Sequence, residues 1–195
     1  MNLKKTEAVT GKVRLNFPAL FTPVAMDKNK PEDKKYGCQI LVPKSDKATM
    51  DRLKAAIDEA VKSGISGAWG GVTPAIIHKP VHDGDGTKPV SGESYGDECK
   101  DHYVLNATAN VNYPPDVVDT QLNPILNQSE IYSGVYARVL LNFYPYNYQG
   151  KKGIGVSIGN VQKIADGTPL GGAPKKSADV FGEVKYDDLT GEVIV

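Results

Sequence analysis

Between residues 132 and 153 the chain reads Tyr132-Ser-Gly-Val-Tyr-Ala-Arg-Val-Leu-Leu-Asn-Phe-Tyr-Pro-Tyr-Asn-Tyr-Gln-Gly-Lys-Lys-Gly153, gathering five of its ten tyrosines beside one arginine and two lysines. These residue types do recognition chemistry rather than bond-making: a phenol ring covers another flat surface, and a cation holds an anion. If residues 135–142 form a strand, alternation puts Val135, Ala137, Val139 and Leu141 on one face and Tyr136, Arg138, Leu140 and Asn142 on the other. The same register sends Tyr144, Tyr146 and Tyr148 to the second face, with Pro145 expected to end regular pairing or mark a bulge. Unpaired nucleic-acid bases would suit such a face, because every base offers a flat surface to stack. A second packed layer with hydroxyls at its rim is the alternative for the same residues.

Bond-making chemistry finds less support. His78, His82, Asp83, Asp85 and His102 could gather a divalent metal, but no helix aligns the histidines and Asp83-Gly-Asp-Gly86 lacks the distal Glu of a calcium loop. Gly153-Ile-Gly155 follows a strand without opening a helix, and neither Ser133 nor Ser157 lies in a nucleophile elbow. Cys38 and Cys99 have no metal-ligand spacing and are too few for a disulfide framework. No enzymatic activity, metal or cofactor is therefore expected.

The formal charge is zero over 195 residues, yet it is unevenly placed. Residues 177–195 carry Asp179, Glu183, Asp187, Asp188 and Glu192 against Lys185, a net −4, which leaves +4 on the first 176. A mildly basic body can bind phosphates only through a local patch. With no apolar run of membrane-helix length and no signal-peptide pattern, the expectation is a soluble, intracellular protein.

The elements that must position the tyrosines are mostly strands. Residues 1–10 read as a polar arm. In residues 11–17 Val13, Leu15 and Phe17 alternate inward while Lys12, Arg14 and Asn16 face out. A charged loop, 27–35, leads to a second strand, 36–42, with Lys34, Lys35 and Tyr36 at its entrance. Ser45 or Asp46 can cap an amphipathic helix over 47–62 that buries Met50, Leu53, Ile57, Ala60 and Val61, with Gly64 as its stop. Trp69 could stack a base or plug the core over that helix. Long loops with short strands such as 75–78 are expected to residue 101, then a strand over 102–111 and a short helical turn within 124–131. The tyrosine strand should pair through a turn at 149–153 with residues 154–161, whose Gly153, Gly155 and Gly159 permit bending or close approach.

This pattern predicts a mainly β fold with one amphipathic helix, a small barrel or alternatively a sandwich. A body over 11–170 would be followed by a Gly-and-Lys linker from 171. Residues 177–195 then read either as a flexible acidic tail or as a docked hairpin about Asp188-Leu-Thr-Gly191.

Taken in order, Gly11-Lys-Val-Arg14, Leu41-Val-Pro-Lys-Ser-Asp46, Trp69-Gly70, Asp83-Gly-Asp85, Val117-Val-Asp119, Ile131-Tyr-Ser-Gly134, Asn142-Phe-Tyr144 and Gly167-Thr-Pro-Leu-Gly-Gly172 resemble a family of bacteriophage and prophage single-stranded-DNA-binding proteins. The resemblance spans roughly residues 9–173. It implies an OB-fold, a five-stranded barrel with extra loops and strands, and sequence-tolerant coating of single strands in phage DNA replication or recombination. It further implies action in the cytoplasm of the infected or lysogenic host, and contact with replication or recombination proteins through an acidic end such as 177–195. A homo-oligomer is compatible with it.

Physical requirements select the expected contacts: cations to replace counterions and rings to hold bases. The cations are Lys12, Arg14, Lys35, Arg138, Lys151 and Lys152; the rings are Tyr36, Tyr144, Tyr146 and Tyr148, then Trp69 and Tyr136. Two other functions compete, a phage structural or protein-interaction module using the tyrosine face and a metal-dependent nuclease using the His and Asp loop.

Overall fold

The computed structural model describes residues 3–25, 29–171, 185–186 and 193–194. Its strands are β1 (Glu7–Val9), β2 (Val13–Ala25), β3 (Lys34–Pro43), β4 (Val81–Asp83), β5 (His102–Asn110), β6 (Val117–Val118), β7 (Tyr136–Tyr148), β8 (Lys151–Ala165), β9 (Lys185–Tyr186) and β10 (Val193–Ile194). The helix α1 (Lys47–Ser66) lies between β3 and β4. Strands β7, β2, β3, β5 and β8 are hydrogen-bonded in that order, and pairing of β8 with β7 closes the ring. This is a five-stranded barrel, with β1, β4 and β6 added at its margins. The sandwich alternative does not hold.

Alternation makes the wall. Val13, Leu15, Ile40, Val42, Leu105, Ala107, Val139, Leu141, Phe143, Val156 and Ile158 point to one buried cluster, while their neighbours face outward. Strand β8 takes one extra residue between its partners of Val139 and Leu141, at Gly159–Asn160. Such a bulge bends a strand, which a small closed barrel needs.

The alternation in β2 fails after Leu15. Phe17, expected in the core, is 71% exposed with φ 48°, while Asn16, expected outside, is buried. The cause is a register shift: Asn16 pairs with Gln39 and Ala19 with Gly37, so β2 spends three residues where β3 spends two. The phase flips there. Asn16 gives its amide to Gln39 Oε1 at 3.0 Å, and the Phe17 N–H is accepted by Ser133 Oγ at 2.9 Å.

Asp46 caps α1 by accepting from the Thr49 N–H at 3.0 Å and from Thr49 Oγ1 at 2.6 Å. The Thr49 hydroxyl is also the acceptor for Gly11 N–H at 2.7 Å, which ties the helix start to the approach of β2. Leu53, Ala56, Ile57 and Ala60 then bury one face in the main cluster. The helix runs past the expected stop to Ser66. Gly64 instead sits within it as a seat for Trp69, since an added Cβ would stand 2.8 Å from the indole and 2.9 Å from Pro145.

Two further expectations change. Residues 7–9 are not arm but strand β1, paired with Leu140–Asn142 of β7; Ala8 is buried, and Thr10 exchanges backbone and hydroxyl bonds with Val139. Residues 75–78 are not a strand, because only His78 makes a bridge, giving its N–H to Lys152 O and accepting from Ile154 N–H beside Gly153. Pro74 and Pro80 flank that stretch and remove donors a ladder would need.

The strand and hairpin expectations for 102–111 and 149–153 correspond to β5 and to the β7–β8 turn. Near the C-terminus β9 and β10 pair antiparallel, Tyr186 with Val193 and Lys185 with Ile194, as a separate two-stranded sheet. These two pairs are the part of the expected hairpin that falls within the described residues; its turn at 188–191 and residues 172–184, with most of the expected linker, lie outside them.

Candidate nucleic-acid interface

The tyrosine strand keeps its register through Pro145, which pairs with Ile154, so neither a break nor a bulge occurs there. Tyr144 stands opposite Gly155, Tyr146 opposite Gly153 and Tyr148 opposite Lys151. The two glycines give the rings room to lie across β8: an added Cβ would meet the Tyr144 ring at 2.5 Å and the Tyr146 hydroxyl at 2.6 Å. Their role is therefore to seat rings rather than to bend the strand. Tyr144 is 42% and Tyr148 62% exposed, while Tyr146 is half-buried with its carbonyl accepting from Trp69 Nε1 at 2.9 Å.

Residues directly paired across a sheet share a face. Gln39 pairs with Asn106, and Thr108 lies beside Ser157, which pairs with Asn142. The outer wall from β3 to β7 thus carries amides, hydroxyls and glycines and ends in the tyrosines. A groove of about 520 Å³ runs along this wall, with Gln39, Asn106, Gly155 and Tyr146 on its floor. His78–Pro80 and Lys88–Ser91 form its sides. Lys79 and Lys88 bring positive charge, the latter 3.5 Å from Glu93. Burial pulls the His82 imidazole at the groove below its ordinary pKa, so it is neutral near pH 7.

Of the twelve expected contacts, Tyr144, Tyr146, Tyr148 and Lys151 fall together on this surface. Lys152 pairs with Asn147 and so projects from the opposite face of the hairpin. Lys12, Arg14 and Tyr136 form a second group: Lys12 Nζ stands 4.3 Å and Arg14 Cζ 5.6 Å from the Tyr136 ring centroid. Eight residues of strand, about 26 Å, separate Tyr136 from Tyr144. Arg14 donates to the carbonyls of Gly134 and Thr168, which makes it a tie between segments. Arg138 is exposed beside an apolar groove lined by Leu3, Val9 and Leu140.

Three expectations meet a different structural setting. Trp69 is only 3% exposed in the main core, where Gly64 receives it, so the plug reading holds and its ring has no free face. Tyr36 packs against the same core in line with Cys38 and Ile40. Lys35 is paired with Asp33 at 3.2 Å. The core-facing phase of β3, set by Cys38, Ile40 and Val42, is what draws Tyr36 inward.

The His and Asp loop is a clasp. Lys44 Nζ lies 2.5 Å from Asp83 and 2.6 Å from Asp85, and these hydrogen bonds hold both carboxyls below the usual carboxylate range. Gly84 fits between because a Cβ there would stand 2.1 Å from the Cys99 carbonyl. Among the described residues no group of three His, Cys, Asp or Glu side chains is placed to hold a metal. Cys38 is buried, with its thiol pushed up to about 12 by desolvation.

Sequence reading missed Gln39, His78, Lys79, Tyr95 and Asn106 as groove residues. A signal was present for one of them: in His102-Tyr-Val-Leu-Asn-Ala-Thr-Ala-Asn110 the polar Asn106, Thr108 and Asn110 alternate with Leu105, Ala107 and Ala109.

A closed five-stranded barrel with its helix between the second and third barrel strands, β3 and β5, and with an outer face of rings and amides, is an OB-type fold. The sequence matches, over residues 6–192, the family described as Enterobacter phage Enc34, ssDNA-binding protein. The chain belongs to that family. It is 29% identical over 182 residues to "Putative protein p50" of Acyrthosiphon pisum secondary endosymbiont phage 1, covering 88% of this chain and 90% of the relative. Among solved structures it is similar to the single-stranded DNA-binding protein from bacteriophage Enc34 in complex with ssDNA, at TM-score 0.68 and 22% identity, covering 88% of this chain and 97% of that one. It is also similar to gp2.5, a single-stranded DNA-binding protein encoded by bacteriophage T7, at TM-score 0.55 and 14% identity, covering 93% and 97%. These likenesses are of fold.

Proposed function

We propose that this protein binds single-stranded DNA without regard to sequence and coats it during phage DNA replication or recombination. The observation that carries the reading is the row of Tyr144, Tyr146 and Tyr148, two of them seated on glycines, with Tyr146 lining the groove. Ring faces accept any base, whereas reading a sequence needs hydrogen-bond donors and acceptors aimed at base edges. Family membership supports the same substrate.

Tyr144, Tyr146 and Tyr148 stack bases in this reading, and Lys151 and Lys79 attract the backbone at either side. Lys12 and Arg138 serve at most as outlying phosphate contacts, and Arg14 supports the scaffold. The protein acts by occupancy, so it needs no catalytic group and no cofactor. Its place is the cytoplasm of the infected host, and among the described residues no helix is long and apolar enough to cross a membrane. Residues 177–195, with their net negative charge, are the segment that recruits replication or recombination proteins in this reading.

The test is fluorescence anisotropy with a labelled oligo-dT and a duplex of equal length, each at low and moderate salt. Tight, salt-sensitive binding to the single strand and weak binding to the duplex is the expected result. Absence of binding to either would overturn the function and point to a protein partner for the tyrosine face.

A further inference from the structure

Of the four non-glycine residues with positive φ among those described, Phe17 is the one aromatic. It is also 71% exposed. A bulky side chain at φ 48° is strained, and an exposed ring loses contact with apolar partners, so two costs coincide at one residue. The surroundings hold it there: Ser133 Oγ and Asn16 Oδ1 both accept its N–H, and the register shift between Asn16 and Ala19 leaves it outside the ladder.

Its position relates to the groove. Asn16 pairs with Gln39, Gln39 with Asn106, and Tyr144 with Gly155. Because β5 and β8 run parallel with Thr108 beside Ser157, two residues back along each strand sets Asn106 beside Gly155. One row therefore crosses all five barrel strands, from Tyr144 over Gly155, Asn106 and Gln39 to Asn16, with Phe17 next to its far end. Four strand spacings make this row about 19 Å long, within the reach of the shortest single-strand sites of such barrels, about four nucleotides.

We infer that Phe17 is a second base-stacking platform, at the β2 end of the row that the tyrosines begin at β7, so that single-stranded DNA crosses the barrel between two aromatic ends. This rests on the single-strand-binding reading above. The amides of Gln39 and Asn106 line the middle of the path. Glu98 Oε1 accepts from Asn16 Nδ2 at 3.5 Å, which places a carboxylate beside that end of the row.

Substitution by glycine separates this role from a structural one. F17G removes the ring and also relieves the positive φ, so its melting temperature should equal or exceed that of the wild type. Its affinity for oligo-dT should nonetheless fall about 5- to 160-fold, as expected for loss of one stacked base. F17W, which keeps a flat ring, should bind within about twofold of wild type. Wild-type binding with unchanged affinity in F17G would overturn the inference while leaving the proposed function standing. An equal loss in F17G and F17W would also overturn it. Failure of the wild type itself to bind would remove the function and the inference together.

Discussion

At the start of β7 the cations of Lys12 and Arg14 lie against the Tyr136 ring, and Arg14 is further bound to the carbonyls of Gly134 and Thr168. At its other end Tyr144 and Tyr148 stand exposed over or beside β8, with Lys151 next to them. The residue types are the same, tyrosine with lysine or arginine, but their partners differ. A cation already engaged by a ring and by carbonyls has less to offer a phosphate, and a ring already covered by cations has less face for a base. The opposite end keeps both kinds of group available. Composition alone marks a strand suited to recognition; the partners each side chain already has separate its engaged end from its open one.

The largest effect should come from removing the free rings. The double variant Tyr144→Ala/Tyr148→Ala is expected to lose about 1–3 kcal/mol of oligo-dT affinity per ring, with its thermal stability little changed because both rings are exposed. Unchanged affinity would erase the distinction between the ends. Arg14→Ala should do the converse. Losing hydrogen bonds from a charged donor should cost about 1.5–3 kcal/mol of folding stability in a denaturant titration, with the salt dependence of DNA binding unaltered. A flatter salt dependence would mean that Arg14 contacts phosphate after all.

Gly155→Ala sharpens the comparison without deleting a ring. The new methyl would meet the tip of Tyr144 rather than backbone, so the exposed ring swings aside. Affinity should fall by less than in Tyr144→Ala while the unfolding midpoint stays near that of the wild type. For Lys151→Ala, one phosphate contact fewer should reduce the slope of log affinity against log salt by about 0.7.

The smallest effect is expected at the Lys44 clasp. Asp83 and Asp85 have carboxyl pKa values lowered in the folded chain by the Lys44 hydrogen bonds. A lowered carboxylate stabilises the fold above its unfolded pKa, about 3.9, and that contribution is lost as pH falls through the folded value. Lys44→Met should therefore melt slightly below wild type at pH 7, with the difference closing in acid below about pH 4. A gap that persists at low pH would show that the clasp acts through packing.

Much of the barrel was legible because alternation survives in strands that carry no extra residue of their own, as in residues 136–148, where the bulge lies on the partner strand β8. It failed at Phe17, where a register shift flips the phase directly before Pro18, the residue that marks the irregularity. The arm assigned to residues 1–10 concealed β1 because a three-residue edge strand has too few positions to show a period. Tyr36 and Trp69 could not be placed from sequence, since an aromatic residue suits a core as well as a base; the neighbouring phase of β3 and the seat at Gly64 decide between them. The motifs that carried the family resemblance turn out to be largely architectural. Gly11, Thr49 and Asp46 join the helix start to β2, Lys44 holds Asp83 and Asp85, and the Tyr132 hydroxyl exchanges bonds with Gly167. They announce the scaffold more clearly than the surface that uses it.

The most direct test of the central claim is photocrosslinking of the full chain to an oligo-dT carrying 5-iododeoxyuridine, with the crosslinked peptides identified by mass spectrometry. Crosslinks are expected at residues 144–155. Crosslinks confined to the segments around Lys12, Arg14 and Tyr136, with none between 144 and 155, would contradict it.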